Sequence, residues 1–292
     1  MVRARDLSPL WRSRGTRVPV GGRPLRLHCM QTGAPEHGAP LVLVHGMASS
    51  WRQWRSTMLR VALPLAALDL PGFGDSEVSR RALEAGDYAE ACEAWCRAQG
   101  WPALAAVGHS FGGAVVLDWA SRYPERFTTL GLLAPAALFH PWFTAGYDVL
   151  RLPVLGPLLI PAAIWAVSTR TLGRRAFGHI VSDLTALGDR EIGDLQWGCR
   201  RAREMRRALD YYRYPDLEER LARIRVPVSL GWGKADRVVP VEDAAFYGEH
   251  LPECRTTIWE GCGHLPFLER PAECDAWLHA VWNRHLALAA VQ

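Results

Sequence analysis

The hexapeptide Gly108-His109-Ser110-Phe111-Gly112-Gly113 decides the fold. It follows ALAAVG (103–108), a short unbroken apolar run of the kind seen in strands buried on both faces, and it precedes a helical pattern over 111–122. A serine between glycines at this junction matches G-x-S-x-G, in which a sharp strand-to-helix turn leaves no room for side chains at the flanking positions. Such a turn aims the hydroxyl away from the sheet and sets it at a helix N-terminus, where backbone amides favour developing negative charge.

Outward from this turn the chain alternates between strand and helix patterns. Upstream, residues 17–30 read as two short strands around the Gly21-Gly22 turn, followed by strands at 41–44 and 63–69 and a helix near 87–99. Downstream come a strand at 127–134, a helix at 216–223, a strand at 226–232, a helix at 241–251, a strand at 255–260 and a helix at 271–287. This order predicts an α/β fold with a mostly parallel, doubly wound sheet of eight strands. Between Pro135 and Pro215 the alternation stops. A structureless loop of that length is improbable, so an inserted helical subdomain is expected there, including a helix over Gly198–Arg213. The expected organisation is a core of 1–134 and 216–292 carrying a helical cap, or lid, of 135–215.

A serine hydroxyl becomes nucleophilic when a base takes its proton and a third group orients that base. Asp236, in Gly233-Lys234-Ala235-Asp236-Arg237, and His264, in Gly261-Cys262-Gly263-His264-Leu265-Pro266, both follow predicted strands. Both are therefore expected at the carboxyl edge of the sheet with Ser110. The chain order Ser, Asp, His, together with His45-Gly46-Met47 and Asp69-Leu70-Pro71-Gly72-Phe73-Gly74-Asp75-Ser76, resembles the α/β-hydrolase superfamily in its cap-bearing branch.

The resemblance implies that Ser110 attacks a substrate carbonyl, His264 accepts and returns the proton, and Asp236 orients the imidazole. It implies an oxyanion hole made by the backbone N–H groups of Met47 and Phe111. The expected activity is hydrolysis of a carboxylic ester, thioester or lactone through an acyl-serine, without cofactor or metal. Relatives that open epoxides or cleave carbon–halogen bonds carry Asp at the nucleophile position, so Ser110 argues against both. Carbon–carbon bond hydrolysis of a diketone-type substrate, or a non-catalytic ligand-binding protein with this fold, are the alternatives. His45 and His109 are expected to shape loops.

Charge narrows the partners. The net charge is +4, yet the first 26 residues hold seven Arg and one Asp, so the remaining chain is −2 and offers no evident phosphate-binding face. Nucleic acid is not an expected partner; a hydrophobic small molecule is. The seven cysteines are read as reduced thiols, and no apolar run follows the basic N-terminus, so a cytoplasmic protein is expected. The uncharged run Leu152–Thr169 is at the lower length limit of a membrane span but contains Pro153, Pro157 and Pro161; it is read as a buried or lid segment. Thirteen tryptophans outnumber either other aromatic, and Trp51, Trp54, Trp142, Phe143, Trp165 and Trp197, with Leu265, are the candidate walls of an apolar pocket.

Overall fold

A computed structural model describes residues 11–33, 38–138, 140, 150, 152, 155–209 and 216–290. The sheet has eight strands in the order β1-β2-β4-β3-β5-β6-β7-β8. They are β1 (Arg12–Val20), β2 (Arg23–Thr32), β3 (Leu41–Val44), β4 (Leu65–Leu68), β5 (Leu104–His109), β6 (Phe127–Leu133), β7 (Val228–Gly233) and β8 (Arg255–Trp259). β1 and β2 form the hairpin expected at Gly21-Gly22, whose φ values of 52° and 76° suit a two-glycine turn. β2 runs antiparallel to β4, and every pairing from β4 to β8 is parallel.

The four central strands β3, β4, β5 and β6 are buried along their whole length, which is why each reads as a continuous apolar run. Helices α1 (Arg55–Arg60), α2 (Ala85–Ala98) and α3 (Phe111–Arg122) follow β3, β4 and β5. One apolar core holds Val42, Val44, Trp95 and Trp119; the other, on the opposite face, holds Leu41, Leu43, Trp54 and Trp277. The alternation of β3 residues between the two is the period-two signature of a strand covered on both sides.

After β6 the described residues carry helices and turns but no strand until β7. The helices are α4 (Gly156–Ser168), α5 (Arg170–Ile180), α6 (Asp189–Arg200) and α7 (Met205–Ala208). One expectation is corrected here and another narrowed. The helix predicted over Gly198–Arg213 is broken at 201–204, because the chain bonds to the loop after β4 instead: the Arg203 N–H donates to the Gly72 carbonyl (3.0 Å), and the Arg203 guanidinium donates to the Ser76 carbonyl (2.6 Å). Residues 210–213 of that prediction lie outside the described residues. Of the uncharged run at 152–169, Gly156–Ser168 are helical as α4, with Gly156 the one buried residue of that helix, so of the two readings it is not the buried one. The chain closes with α8 (Leu217–Leu221), α9 (Asp243–His250), α10 (Pro266–Glu269) and α11 (Pro271–Ala289). Among the described residues no helix is long and apolar enough to cross a membrane.

Candidate active site

Ser110 sits between β5 and α3 with φ 53° and ψ −119°, a conformation that costs a non-glycine residue about 1–3 kcal/mol. The surrounding backbone holds it there. The Ser110 N–H donates to the Leu133 carbonyl (2.9 Å), and its own carbonyl accepts from Gly113 (2.9 Å) and Ala136 (3.0 Å). The flanking glycines are a steric necessity. A Cβ on Gly108 would lie 2.3 Å from the Gly112 carbonyl oxygen, and one on Gly112 would lie 2.4 Å from that of Val44. A Cβ on Gly46 would be 3.4 Å from Ser110 Cβ, so the backbone leading to Met47 passes directly beside the serine.

Asp236 and His264 meet across the loops after β7 and β8. His264 Nδ1 and Asp236 Oδ2 are 2.7 Å apart, with both side chains almost wholly buried. A carboxylate can only accept, so the proton sits on Nδ1 and Nε2 is left as an acceptor. The other oxygen of Asp236 accepts from the Val238 and Val239 amides (2.7 and 3.0 Å), which fixes the carboxylate's orientation. The two loops are zipped together. The Ala235 N–H donates to the Cys262 carbonyl (2.8 Å), and a Cβ on Gly233 would lie 2.0 Å from the Gly263 carbonyl oxygen.

Two buried networks that sequence reasoning missed brace these loops. Glu269 accepts from the amides of Gly263 (2.9 Å), Leu265 (3.1 Å) and Ser182 (2.7 Å) and from the Ser182 hydroxyl (2.9 Å). One carboxylate thereby clamps the peptide on both sides of His264 and ties it to the end of α5, while the His264 N–H donates to the Ile180 carbonyl (2.8 Å). In the second network the Gly46 N–H donates to Gln53 Oε1 (3.0 Å), Gln53 Nε2 donates to His109 Nδ1 (3.4 Å), and His109 Nε2 donates to the His264 carbonyl (2.8 Å). Both ring nitrogens of His109 are thus engaged, and burial, followed by the nearby His264, depresses its pKa well below 6.5. The ring is neutral at pH 7 and has no free nitrogen for proton transfer. His45 is bound likewise, to the Gly46 carbonyl (2.8 Å) and the Leu70 N–H (3.1 Å), and burial lowers its pKa. Each network closes through long-range bonds, between partners 56, 87 and 155 residues apart, that no local sequence pattern reveals.

Ser110 and His264 share a cavity of about 220 Å³. Met47, His109, Val238 and Leu265 line it from the sheet side, and Val167, Phe177, Ile180, Leu195, Cys199 and Met205 from α4–α7. Burial pushes the Cys199 thiol up to about 11, so it stays protonated at neutral pH and does not compete as a nucleophile. Phe111 is fully buried and contributes its backbone position at the start of α3.

The aromatic walls expected from the tryptophans are a correction. Trp54 is fully buried against Phe267, and Trp51 is buried with its N–H amide donating to Asp69 (2.7 Å); neither lines the cavity. Trp197 stacks under the guanidiniums of Arg52 (4.2 Å) and Arg201 (5.0 Å), and Trp165 is 67% exposed on α4. Trp142 and Phe143 lie outside the described residues. Of the described members of that group only Leu265 is in the wall; Trp51 and Trp54 find more area to bury between sheet and helices than around an open cleft.

A cluster of His28, Asp69 and Asp75 has metal-like spacing, but its atoms are already committed. Asp69 accepts from His28 (2.8 Å), Trp51 and the Asp75 amide (3.0 Å), which pins the loop Asp69–Ser76 under the site.

Comparison with known proteins agrees with this architecture. The chain is 39% identical over 281 residues to the dihydrolipoyllysine-residue acetyltransferase component of an acetoin cleaving system from Pseudomonas putida, covering 92% of this chain and 69% of that one. It is 29% identical over 258 residues to a pimeloyl-[acyl-carrier protein] methyl ester esterase from Aromatoleum aromaticum, covering 82% and 97%. Among solved structures it superposes on a bacterial membrane phospholipase A with a TM-score of 0.71 and 26% identity, covering 93% and 87%. The sequence profile of the alpha/beta hydrolase family matches residues 41–277, and the chain belongs to that family.

Proposed function

We propose that this protein is a serine hydrolase that cleaves a carboxylic ester of a hydrophobic small molecule. The observation that carries the reading is the buried His264–Asp236 bond, which leaves Nε2 basic in the same apolar cavity as the strained Ser110. In this reading His264 takes the hydroxyl proton as Ser110 Oγ attacks the carbonyl carbon. The tetrahedral oxyanion lies against the Met47 and Phe111 amides, each such donor being worth about 3 kcal/mol in the transition state. Collapse expels the alcohol, which takes the proton from His264, and water then releases the acid by the same steps in reverse. Asp236 stays ionised and stabilises the imidazolium. The helices of the 135–215 insertion act as a cap whose apolar side chains select the acyl group, and no cofactor takes part in the reaction.

The names of two relatives, a methyl ester esterase and an acetyltransferase component, both describe acyl chemistry. Among the described residues no Arg lines the cavity, which favours an ester over the acidic diketone substrates of carbon–carbon hydrolases. The test is intact mass after treatment with a fluorophosphonate. One adduct is expected, lost in Ser110→Ala; absence of an adduct on the folded wild type sinks the reading. With a chromogenic medium-chain ester, Ser110→Ala and His264→Ala are each expected to lose about 10⁴-fold or more in kcat.

A further inference from the structure

Helix α4 reads GPLLIPAAIWAVS and presents its apolar side chains to solvent. Leu158 and Trp165 are each 67% exposed, and Leu155, Leu159 and, on α5, Leu172 are exposed as well. At 100° per residue the exposed positions 155, 157, 158, 159, 161, 162, 163 and 165 sweep an arc of roughly 240° around the helix. Packing against a globular body needs a stripe only about 100° wide, so among the described residues most of this helix has no protein surface to match it. Contiguous exposed apolar area of this kind marks a site of interaction.

The chemistry selects the partner. Along α4 no side chain from Gly156 to Val167 is charged, and none is polar except for the indole N–H of Trp165, so nothing there fixes the register of a second protein copy or forms a polar rim. A fluid apolar phase needs neither and can solvate a wide arc. Positive charge frames the helix: the stretch from Leu152 to Ser182 holds three Arg and no acid, Arg175 is exposed on α5, and the Arg206 side chain lies beside Gly156 at the start of α4. A tryptophan near the helix end suits the boundary between headgroups and chains. The length settles the mode, since 13 residues span about 20 Å, too short to cross a bilayer but fitting within its interface.

We propose that α4 is a docking surface for an anionic lipid bilayer. Leu155, Leu158, Leu159 and Trp165 enter the acyl boundary, and Arg175 and Arg206 meet lipid phosphates. Val167, on the same helix, lines the cavity that holds Ser110, so an apolar ligand dissolved in the bilayer arrives next to that cavity.

The test is co-sedimentation of the full chain with vesicles of equal parts POPC and POPG, and of POPC alone. Binding to the anionic vesicles is expected, with Leu158→Gln/Trp165→Gln at least tenfold weaker in partition coefficient. Arg175→Gln/Arg206→Gln leaves the apolar arc intact and is expected to lose about 20-fold on POPC/POPG with little change on POPC. Thermal melts confirm that each variant is folded. Failure of the wild type to pellet with POPC/POPG overturns the proposal, as does pelleting that ignores Leu158→Gln/Trp165→Gln. A concentration-dependent dimer in sedimentation velocity, dissolved by the same pair, overturns it in favour of a second copy. Ser110→Ala is expected to pellet like wild type, so loss of hydrolysis and loss of docking are read separately.

Discussion

The two walls of the cavity are built by opposite means. On the sheet side the loops that carry Ser110, Asp236 and His264 are fixed by backbone contacts so close that a methyl group does not fit, and by two fully engaged buried carboxylates: Asp236 by two amides and a histidine, Glu269 by three amides and a hydroxyl. On the helical side the wall is aliphatic and sulfur-bearing side chains from short helices, one of which is mostly bare to solvent. Hydrogen bonds and steric exclusion hold atoms within tenths of an ångström, whereas apolar contact is non-directional and tolerates rearrangement. The difference teaches where the proposed hydrolysis needs positional accuracy: at Ser110 and His264, and not along an apolar acyl group.

The sharpest way to break the contrast is to add a methyl group on the sheet side. Gly112→Ala forces a Cβ to 2.4 Å from the Val44 carbonyl oxygen and is expected to lose about 3 kcal/mol or more of stability in a urea melt. Glu269→Gln is expected to cost about 2–3 kcal/mol, because an amide offers one oxygen to four donors and turns an NH₂ toward the rest. Its kcat should fall further than its stability explains, since the His264 peptide loses its clamp.

Acid acts next. His45 and His109 are buried neutral, so the unfolded chain takes up protons near pH 6.5 that the folded chain refuses. Stability is therefore full above pH 6.5 and falls as pH drops below it, by up to about 1.4 kcal/mol per pH unit for each ring. Urea midpoints between pH 7 and 5.5 check this, and His45→Gln is expected to make the decline shallower. On the helical side the expected effect is the smallest: Leu158→Gln and Trp165→Gln should each change stability by no more than about 0.5 kcal/mol, because their side chains are mostly in solvent already. A large loss there means that α4 packs more tightly than its exposure indicates.

The same contrast explains what could be read from sequence. The G-x-S-x-G turn is legible because it needs small residues at fixed offsets: a Cβ on Gly108 meets Gly112 within the turn itself, and one on Gly112 meets the Val44 carbonyl of the neighbouring strand β3. Asp236 and His264 are legible because the fold delivers loops after parallel strands to one edge. The chain through Gln53 and His109 and the Ser182 arm of the Glu269 clamp depend on partners far apart in sequence, and although Gly263 and Leu265 lie close by, a buried glutamate looks like a surface one until its neighbours are known. The tryptophans misled because composition gives apolar area without direction. Trp54 and Trp165 have the same side chain, yet one is wholly buried and the other two-thirds exposed. The run at 152–169 reads as either buried or lid for the same reason, because hydropathy does not say what covers a helix.

The tripeptide Ile180-Val181-Ser182 gives its carbonyl to His264, its hydroxyl and amide to Glu269, and its backbone as the surface against which Gly263 fits. The helical segment between β6 and β7 is thus tied into the sheet-edge loops. A chimera that exchanges these helices for those of a homologue keeps the His264 loop in this geometry only if the splice lies outside residues 180–182, so the helices vary freely on one side of that seam and are constrained on the other.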